Sequence, residues 1–263
     1  MSEKKNEWDD LPDPRSPTFD QEMTVLMKQM RAKIPPGKRA ARPRDAATIV
    51  ITRRGRTTIE VLMGRRHHGH KFMPNAFVFP GGRVDVADGR VFPGLSLSSE
   101  AAERLGGVMG TARARAFGLA AIRETFEEAG IAIGRPLSPE LRGSTKAPSW
   151  KSFVAAGYVP ALDALKVIGR AVTPPVQPKR FDTWFFNVDV EDVPAAATPV
   201  ASGSGELEEL QWVAIDATDP LNLPAVQKIV LIALEEQLAM GASALPKMMY
   251  IRFQNGRYRT DPL

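Results

Sequence analysis

The residues best suited to chemistry are three glutamates and an arginine in one short segment, Arg123-Glu124-Thr125-Phe126-Glu127-Glu128-Ala129-Gly130. A helix is predicted over residues 112–129, with Gly130 as its C-cap, and the four charged side chains share one arc of it. The opposite arc is apolar and carries Leu119, Ile122, Phe126 and Ala129. Carboxylates grouped on one rigid face are oxygen ligands that suit Mg²⁺ or Mn²⁺, so the segment predicts a divalent-metal site.

A solvated helix face, with Arg123 and Glu127 as an ion pair four residues apart, is the alternative interpretation of the same pattern. Two physical arguments weigh against it. Glu127 and Glu128 lie at the C-terminal end of the helix, where the helix dipole disfavours negative charge. Three neighbouring carboxylates also repel one another unless cations lie between them.

A glycine pair, Gly81-Gly82, ends a short apolar segment upstream of this helix. Because glycine has no side chain, the backbone at such a pair can approach a ligand closely and expose its carbonyl oxygens. A glycine pair alone is typical of a plain turn. It gains meaning from the acidic helix that follows it.

The elements that must position these residues alternate irregularly between strand and helix patterns. Runs of β-branched and aromatic residues predict strands at 46–52, 57–63, 76–79, 181–188 and 210–215, with a basic loop at 65–71. Helical periodicity predicts helices at 98–105, 112–129 and 224–240, and Asn255-Gly256 predicts a hairpin turn within 248–260. This order indicates an α+β fold in which a mixed β-sheet lies between helical layers.

Residues 1–43 are predicted to be an appendage to a main domain at residues 44–263. Prolines interrupt the start of the appendage, and residues 33–39 have the composition of a linker. Between them, four apolar side chains repeat at helical spacing, namely Met23, Leu26, Met27 and Met30. We expect a short helix that packs on the main domain, and a helix that binds a partner is the alternative.

The composition narrows the class of protein. Of the 263 residues, 43% are hydrophobic and 25% are charged, which is typical of a globular protein. No apolar run approaches the roughly 20 residues needed to span a bilayer, and the absence of cysteine excludes disulfides, thiol catalysis and cysteine metal sites. The net charge of +5 favours anionic ligands. We expect a cytoplasmic protein.

Together, these motifs resemble the box that defines the Nudix hydrolases. That box runs Gly, five residues, Glu, seven residues, then Arg-Glu-apolar-x-Glu-Glu-x-Gly-apolar. Residues 123–131 match its second half, except that Thr125 replaces an apolar residue. Gly82 matches the opening glycine, and Asp88 stands where the family has its first glutamate. The resemblance implies a Nudix-type α/β/α sandwich.

A long insertion splits the box. Asp88 and Arg123 are separated by 34 residues, about 27 more than in the family pattern. The split box, together with residues 72–82 and 180–186, resembles the branch that contains the peroxisomal coenzyme A diphosphatases. The insert at residues 89–111 has three candidate roles, which are shaping the substrate pocket, forming a dimer contact and decorating the surface.

The resemblance implies metal-dependent hydrolysis of a nucleoside diphosphate linked to another moiety, with coenzyme A or acyl-CoA among the candidate substrates. It assigns Mg²⁺ or Mn²⁺ as the cofactor and implies a ligand set of Gly82, Asp88, Glu124, Glu127 and Glu128. Arg123 would hold the carboxylates in place through ion pairs, and Asp88 would act through a metal-bound water. A Nudix-fold module that senses a nucleotide without hydrolysing it is the alternative function.

A later loop and several cations complete the predicted site. By the same resemblance, a carboxylate from a later loop serves as base or ligand, and the candidates are Glu206, Glu208 and Glu209. The cations predicted to bind substrate phosphates are Arg65, Arg66, Lys71 and Arg180. The alternative interpretations are a solvated acidic turn for the former set and ordinary surface charge for the latter.

The expected partner is a small-molecule nucleoside diphosphate substrate. Neither a helix-turn-helix pattern nor an aromatic-rich basic strand occurs in the sequence, so no nucleic acid is expected as a partner. No membrane is expected either, and a homodimer is an open alternative to a monomer.

Overall fold

The computed structural model describes residues 12–35, 37, 39–69, 74–139, 147–218, 221, 223–240 and 247–263. Its strands are β1 (Arg44–Arg54), β2 (Ile59–Arg66), β3 (Phe77–Val78), β4 (Gly81–Arg83), β5 (Gly134–Pro136), β6 (Tyr158–Pro160), β7 (Lys166–Val172), β8 (Phe181–Asp189), β9 (Leu207–Ala214), β10 (Met249–Gln254) and β11 (Arg257–Pro262). Its helices are α1 (Phe19–Ala32), α2 (Ser99–Gly106), α3 (Thr111–Ala129), α4 (Lys151–Ala155) and α5 (Ala225–Met240).

A mixed sheet of nine strands forms the centre of the described structure. Its main order is β11-β10-β7-β8-β1-β2-β3, while β4 also pairs with β1 and β9 pairs with β2. The pairs β1–β8 and β7–β10 are parallel, whereas β1 runs antiparallel to β2 and β4. A separate small sheet consists of β5 and β6. β1 is therefore the strand around which the sheet is built.

Helices cover both faces of this sheet. On one face, the core that contains α2 and α3 includes Ala47, Ile49 and Ile51 of β1. On the other face, the core that contains α1 and α5 includes Val50. Because successive side chains of a strand point to opposite faces, a strand buried on both faces, such as β1, is largely apolar. The predicted α/β/α sandwich around a mixed sheet is confirmed. No membrane-spanning helix occurs in the part of the chain that the structure describes.

Helix α1 belongs to the same helical layer as α5. Its buried apolar side chains are Phe19, Met23 and Met27. Three hydrogen bonds fix it to β11. Tyr258 N donates to Thr24 Oγ1 at 2.9 Å, and Thr260 donates to Asp20 through its N–H at 3.0 Å and its hydroxyl at 3.2 Å. The predicted packing of this helix on the main domain is confirmed, while the domain division at residue 43 stays a prediction.

The insert at residues 89–111 is packed into the core. Its helix α2 begins at the N-cap Ser98, whose Oγ accepts a hydrogen bond from Ala101 N at 3.1 Å. Arg115 of α3 donates to the carbonyl oxygens of Val91 and Phe92, at 2.6 and 2.8 Å. The buried apolar side chains of the insert are Val91, Phe92, Leu97, Ala101, Leu105 and Met109. Decoration of the surface is thereby excluded as the role of the insert.

Two differences from the predicted elements have physical causes. β2 continues to Arg66 because β3 and β9 pair with its end, so the predicted basic loop begins after that residue. β7 was not predicted, because Gly169 interrupts its apolar pattern. A Cβ on Gly169 would overlap the carbonyl oxygen of Met249, so glycine is needed where β10 approaches. The predicted hairpin at Asn255-Gly256 is confirmed.

Candidate active site

The C-terminal end of α3 is held by a loop that leads to Glu206. α3 ends at Gly130, which has a left-handed conformation with φ 68°. Val200 N donates to the Gly130 carbonyl at 2.8 Å, and Ser204 N donates to the Glu127 carbonyl at 2.7 Å. These loop amides satisfy carbonyl groups at the helix end and offset the unfavourable helix dipole at its acidic side chains.

Arg123 is the centre of a buried ionic network. Its guanidinium donates to both carboxylate oxygens of Asp88, at 2.9 and 3.0 Å. The same group donates to Glu124 at 2.9 Å, to Glu127 at 3.0 Å and to the Arg83 carbonyl at 2.8 Å. Burial lowers the pKa of Arg123, but the three carboxylates outweigh burial and raise it above its ordinary value. Arg123 stays charged, and it fixes the orientation of two carboxylates of α3.

Asp88 is fully buried, and donors surround its carboxylate. Besides the two hydrogen bonds from Arg123, Asp88 accepts one from Trp150 Nε1 at 3.1 Å and one from Asp85 N at 2.8 Å. These four bonds use the lone pairs that a metal ion or a metal-bound water would need. The metal role of Asp88 stays a prediction, and in this structure its carboxylate positions Arg123. Trp150, which the sequence reasoning missed, positions Asp88 in turn.

The glycine pair allows β4 to pack closely against both α3 and β1. Gly81 and Gly82 lie on β4, which pairs with β1 and passes alongside α3. A Cβ on Gly82 would overlap the carboxyl carbon of Glu124, and a Cβ on Gly81 would overlap the Ala47 carbonyl. Gly81 N donates to Glu128 Oε2 at 2.9 Å. A side chain at Gly82 would therefore push α3 away from β4, and one at Gly81 would push β4 away from β1.

Glu128 is more deeply buried than the other two glutamates of the helix end. Burial raises the pKa of Glu128 to about 8 against an opposing backbone hydrogen bond, and the negative charges of Glu206 and Glu124 add to the increase. Burial also raises the pKa values of Glu124 and Glu127, although the neighbouring arginine opposes this. Burial therefore disfavours the charged forms of all three acids in the free protein, and a bound cation would stabilise those charged forms.

A cleft of about 480 Å³ opens beside these acids, between the sheet and the layer of α1 and α5. The acids that line it are Glu124, Glu128 and Glu206. The cations that line it are Arg66, Arg83 and Lys179. Apolar side chains of the remaining wall include Met23, Met27, Phe181, Phe185 and Ile251. Acids and cations together over an apolar wall suit a phosphate anion with an attached organic group.

Several residues predicted from sequence lie away from the lining of this cleft. Glu209, with φ 51°, occupies a β-bulge of β9, and its exposed carboxylate accepts a hydrogen bond from Arg65 Nε at 2.8 Å. Glu208 also faces Arg65, at 4.0 Å. Arg180 donates to two backbone carbonyl oxygens, at 2.9 and 2.8 Å, and so ties the start of β8 to the segment before β1. The structure thus does not bring Arg65, Glu209 or Arg180 to the acids, and Lys71 lies outside the described residues.

Sequence reasoning missed two cations of the cleft. Lys179 directly precedes the predicted Arg180, and composition does not show which of two neighbouring loop side chains lines the cleft. Arg83 carries a usable signal, because alternate side chains of a strand share a face and Arg83 lies two residues after Gly81 on β4. A strand assignment for this segment would have placed Arg83 beside the glycine pair.

The donors of the cleft agree in kind with a divalent cation. They are carboxylate and carbonyl oxygens, which Mg²⁺ and Mn²⁺ prefer. Within the described ranges, no three acidic or histidine side chains converge closely enough in their present arrangement to hold an ion. Glu124, Glu128 and Glu206 nevertheless share one cleft, and the charges of the first and last raise the pKa of the second. A cation between them would remove this repulsion and draw the carboxylates together.

The curated proteins that are similar to the chain include the following two. It is 31% identical over 186 residues to nudix hydrolase 7 of Caenorhabditis elegans, a match that covers 67% of this chain and 53% of that protein. It is 29% identical over 203 residues to the acyl-coenzyme A diphosphatase NUDT19 of Xenopus laevis, covering 58% of this chain and 52% of that protein. The chain thus spans about half the length of the curated relatives it matches. No protein-family model matches the sequence.

A solved structure has a similar fold. The NUDIX hydrolase from Alicyclobacillus acidocaldarius matches with a TM-score of 0.50 and 27% identity, over 77% of this chain and 97% of that one. The predicted likeness to the coenzyme A diphosphatase branch agrees with the name of the Xenopus relative. The sandwich fold, the acidic end of α3 beside its glycine pair and these similarities show that the chain belongs to the Nudix hydrolase family.

Proposed function

We propose that the chain is a metal-dependent pyrophosphohydrolase that cleaves a nucleoside diphosphate linked to another moiety. The observation that carries the proposal is that Glu124, Glu128 and Glu206 line one cleft together with the glycine pair and with cations. A pyrophosphate needs both kinds of group, because carboxylates hold the metal ion and cations bind the phosphate oxygens. The names of the relatives as hydrolases support the same reaction.

The acidic end of α3 is the proposed place of Mg²⁺ or Mn²⁺. Glu124 and Glu128 would hold the ion, with Glu127 and the Gly82 carbonyl as further ligands. When bound, such an ion neutralises phosphate charge and polarises the bonds to phosphorus. Arg123 keeps Glu124 and Glu127 oriented through its ion pairs at 2.9 and 3.0 Å.

Glu206 is the proposed acceptor of the proton that the attacking water loses. The water oxygen forms a bond to one phosphorus, the bridging P–O bond breaks, and the leaving phosphate takes the electron pair of that bond. The proton passes to the Glu206 carboxylate, which faces the same cleft as Glu128. Arg66, Arg83 and Lys179 would bind the non-bridging oxygens and reduce the charge repulsion that the reaction meets.

Coenzyme A or acyl-CoA is the proposed substrate within this class. One similar protein is named an acyl-coenzyme A diphosphatase. The apolar part of the cleft supports a substrate with a long organic arm, since Met23 and Met27 of α1 and Phe181 and Phe185 of β8 all line it. ADP-ribose, a nucleotide sugar and a dinucleotide are the alternatives within the class.

A substrate panel tests the proposal. The purified chain is incubated with Mg²⁺ or Mn²⁺ and coenzyme A, acetyl-CoA, ADP-ribose, a nucleotide sugar or a dinucleotide, and products are identified by mass. We expect cleavage of coenzyme A at its diphosphate, and a loss of about 100-fold or more in kcat for Glu124→Gln. The control Glu100→Gln, in an exposed ion pair of α2, should keep its activity. Tight binding of one compound without cleavage of any would favour the nucleotide-sensing alternative instead.

A further inference from the structure

Two glutamines of the cleft have buried amide groups that the fold itself does not satisfy. Gln177 is 5% exposed and Gln227 is 8% exposed, and both line the cleft. Among the described residues, neither Gln177 Nε2 nor Gln227 Oε1 has a hydrogen-bond partner. Burial of an unpaired polar group costs free energy, and native proteins rarely retain such groups without a reason. The proposed reaction does not use either side chain.

The two glutamines come from different elements, and each backbone is fixed by a turn. Gln177 lies in the connection between β7 and β8, where its N–H donates to the Pro174 carbonyl at 3.2 Å. Gln227 lies in the first turn of α5, where its N–H donates to the Pro224 carbonyl at 2.8 Å. Both prolines also line the cleft. The amides are therefore presented to the cleft from two anchored segments.

The chemistry of the two amides defines what they can bind. One offers a buried N–H donor and the other a buried carbonyl acceptor, and neither carries a charge. The lining of the cleft also includes apolar and aromatic side chains, among them Met23, Phe181 and Tyr258. Such a site suits a flat, neutral group that presents an acceptor and a donor, and it does not suit a phosphate.

We propose that Gln177 and Gln227 determine substrate specificity by hydrogen-bonding a neutral donor–acceptor edge of the substrate. An adenine ring and a secondary amide of an organic arm both present this edge, so the chemistry is shared by two parts of a substrate such as coenzyme A. The inference rests on the proposed function, because it places the non-phosphate part of that substrate in the same cleft.

Methionine variants test the inference, because methionine has a similar length to glutamine but forms no strong hydrogen bond. Gln177→Met, Gln227→Met and the double variant should each raise KM for coenzyme A about ten-fold or more, with kcat within about three-fold. Their unfolding midpoints without ligand should equal or exceed that of the wild type, because an unpaired buried amide is removed. A purely structural role predicts the opposite shift in the midpoint.

Gln237→Met is the matched control on the same helix as Gln227. Gln237 Nε2 donates to the Ile168 carbonyl at 3.0 Å, so its amide is already satisfied within the fold. This variant should lower the unfolding midpoint and leave KM unchanged. The contrast between the two helix positions separates a role in substrate binding from a role in folding.

Two further compounds identify which edge is bound. ADP-ribose carries the adenine ring without an amide arm, and 4′-phosphopantetheine carries the amide arm without a base. A higher KM for ADP-ribose in the variants would assign the adenine edge, and weaker inhibition by 4′-phosphopantetheine would assign the amide.

Unchanged KM and inhibition in all three variants, or a fall in the unfolding midpoint as large as that of Gln237→Met, would overturn the inference. If the wild type cleaves no compound, the hydrolase proposal fails. Calorimetric measurement of ADP-ribose and 4′-phosphopantetheine binding to the wild type and the variants then still tests whether the two glutamines bind a substrate edge.

Discussion

Replacing Asp88 with asparagine should destabilise the protein by about 3–5 kcal/mol. Asp88 is 0% exposed and accepts four hydrogen bonds, two from Arg123 and one each from Trp150 and Asp85. Asparagine keeps the shape of the side chain. It removes the negative charge, however, and replaces one acceptor oxygen with an NH2 donor.

The magnitude has two sources in the structure. Arg123 is only 5% exposed and keeps its positive charge. Without the Asp88 carboxylate, the remaining ion pairs of this buried guanidinium are those with Glu124 and Glu127. Removal of one partner of a buried pair costs about 3–5 kcal/mol. The new NH2 group also faces donors, which costs about 1–3 kcal/mol. The two penalties involve the same contacts, so they overlap and do not add in full.

Urea denaturation at pH 7 without divalent cations measures this difference in the free energy of unfolding. The control Asp163→Asn makes the same chemical change in an exposed ion pair with Arg135, and it should cost less than about 1 kcal/mol. A loss for Asp88→Asn that is no larger than the loss for this control would refute the reasoning. It would mean that the ionic network of Arg123 does not depend on its buried partner.

The helix end, the glycine pair and the cleft cations give three further predictions. Because burial raises the pKa of Glu128 from 4.5 to about 8, the metal-free wild type should lose up to about 5 kcal/mol of stability relative to Glu128→Gln as pH rises from 4.5 to 8. As pH rises, the unfolded state releases this proton first, so the free energy of unfolding falls. Urea denaturation at several pH values measures the loss, and saturating Mn²⁺ should reverse it. Gly82→Ala would place a Cβ onto the Glu124 carboxylate and should weaken Mn²⁺ binding, measured by titration, about ten-fold or more. The control Gly94→Ala, whose Cβ meets open space, should leave Mn²⁺ binding unchanged. Steady-state kinetics should show a KM about ten-fold higher for Lys179→Ala, while Arg180→Ala should mainly lower stability, by about 1–3 kcal/mol.

The acidic helix could be predicted closely because its signals are local. The predicted range of 112–129 differs from the observed α3 by one residue at the start. The apolar arc fixes the buried face of the helix, and Gly130 adopts the left-handed conformation that ends it. The hairpin at Asn255-Gly256 could be predicted for the same reason, since its turn is specified by two adjacent residues.

The role of Asp88 could not be predicted, because it depends on residues far away in the sequence. Its spacing from Gly82 fits a box position, but spacing does not show what surrounds a carboxylate. Trp150, 62 residues further along the chain, supplies one of its donors. Arg123 of α3 and Trp150 meet at that carboxylate only in the folded chain.

The cleft itself was also beyond the sequence pattern. Its walls come from α1, the connection between β7 and β8, and the start of α5, which meet only after the sheet has formed. Basic residues therefore could be counted but not placed, and the structure brings Arg66 to the acids while it pairs Arg65 with Glu209. The unpaired amides of Gln177 and Gln227 leave no sequence signal, since glutamine is common on ordinary surfaces.

The claim that the acidic end of α3 holds a divalent cation on which hydrolysis depends is tested most directly by titrating Mn²⁺ into metal-free protein. The measured quantity is the rate of hydrolysis of coenzyme A, or of another panel compound that the wild type cleaves. We predict that the wild-type rate rises to saturation with Mn²⁺, while folded Glu128→Gln stays about 100-fold slower or more at every concentration. A wild-type rate that does not depend on Mn²⁺, or equal rates for the two proteins, would contradict the claim.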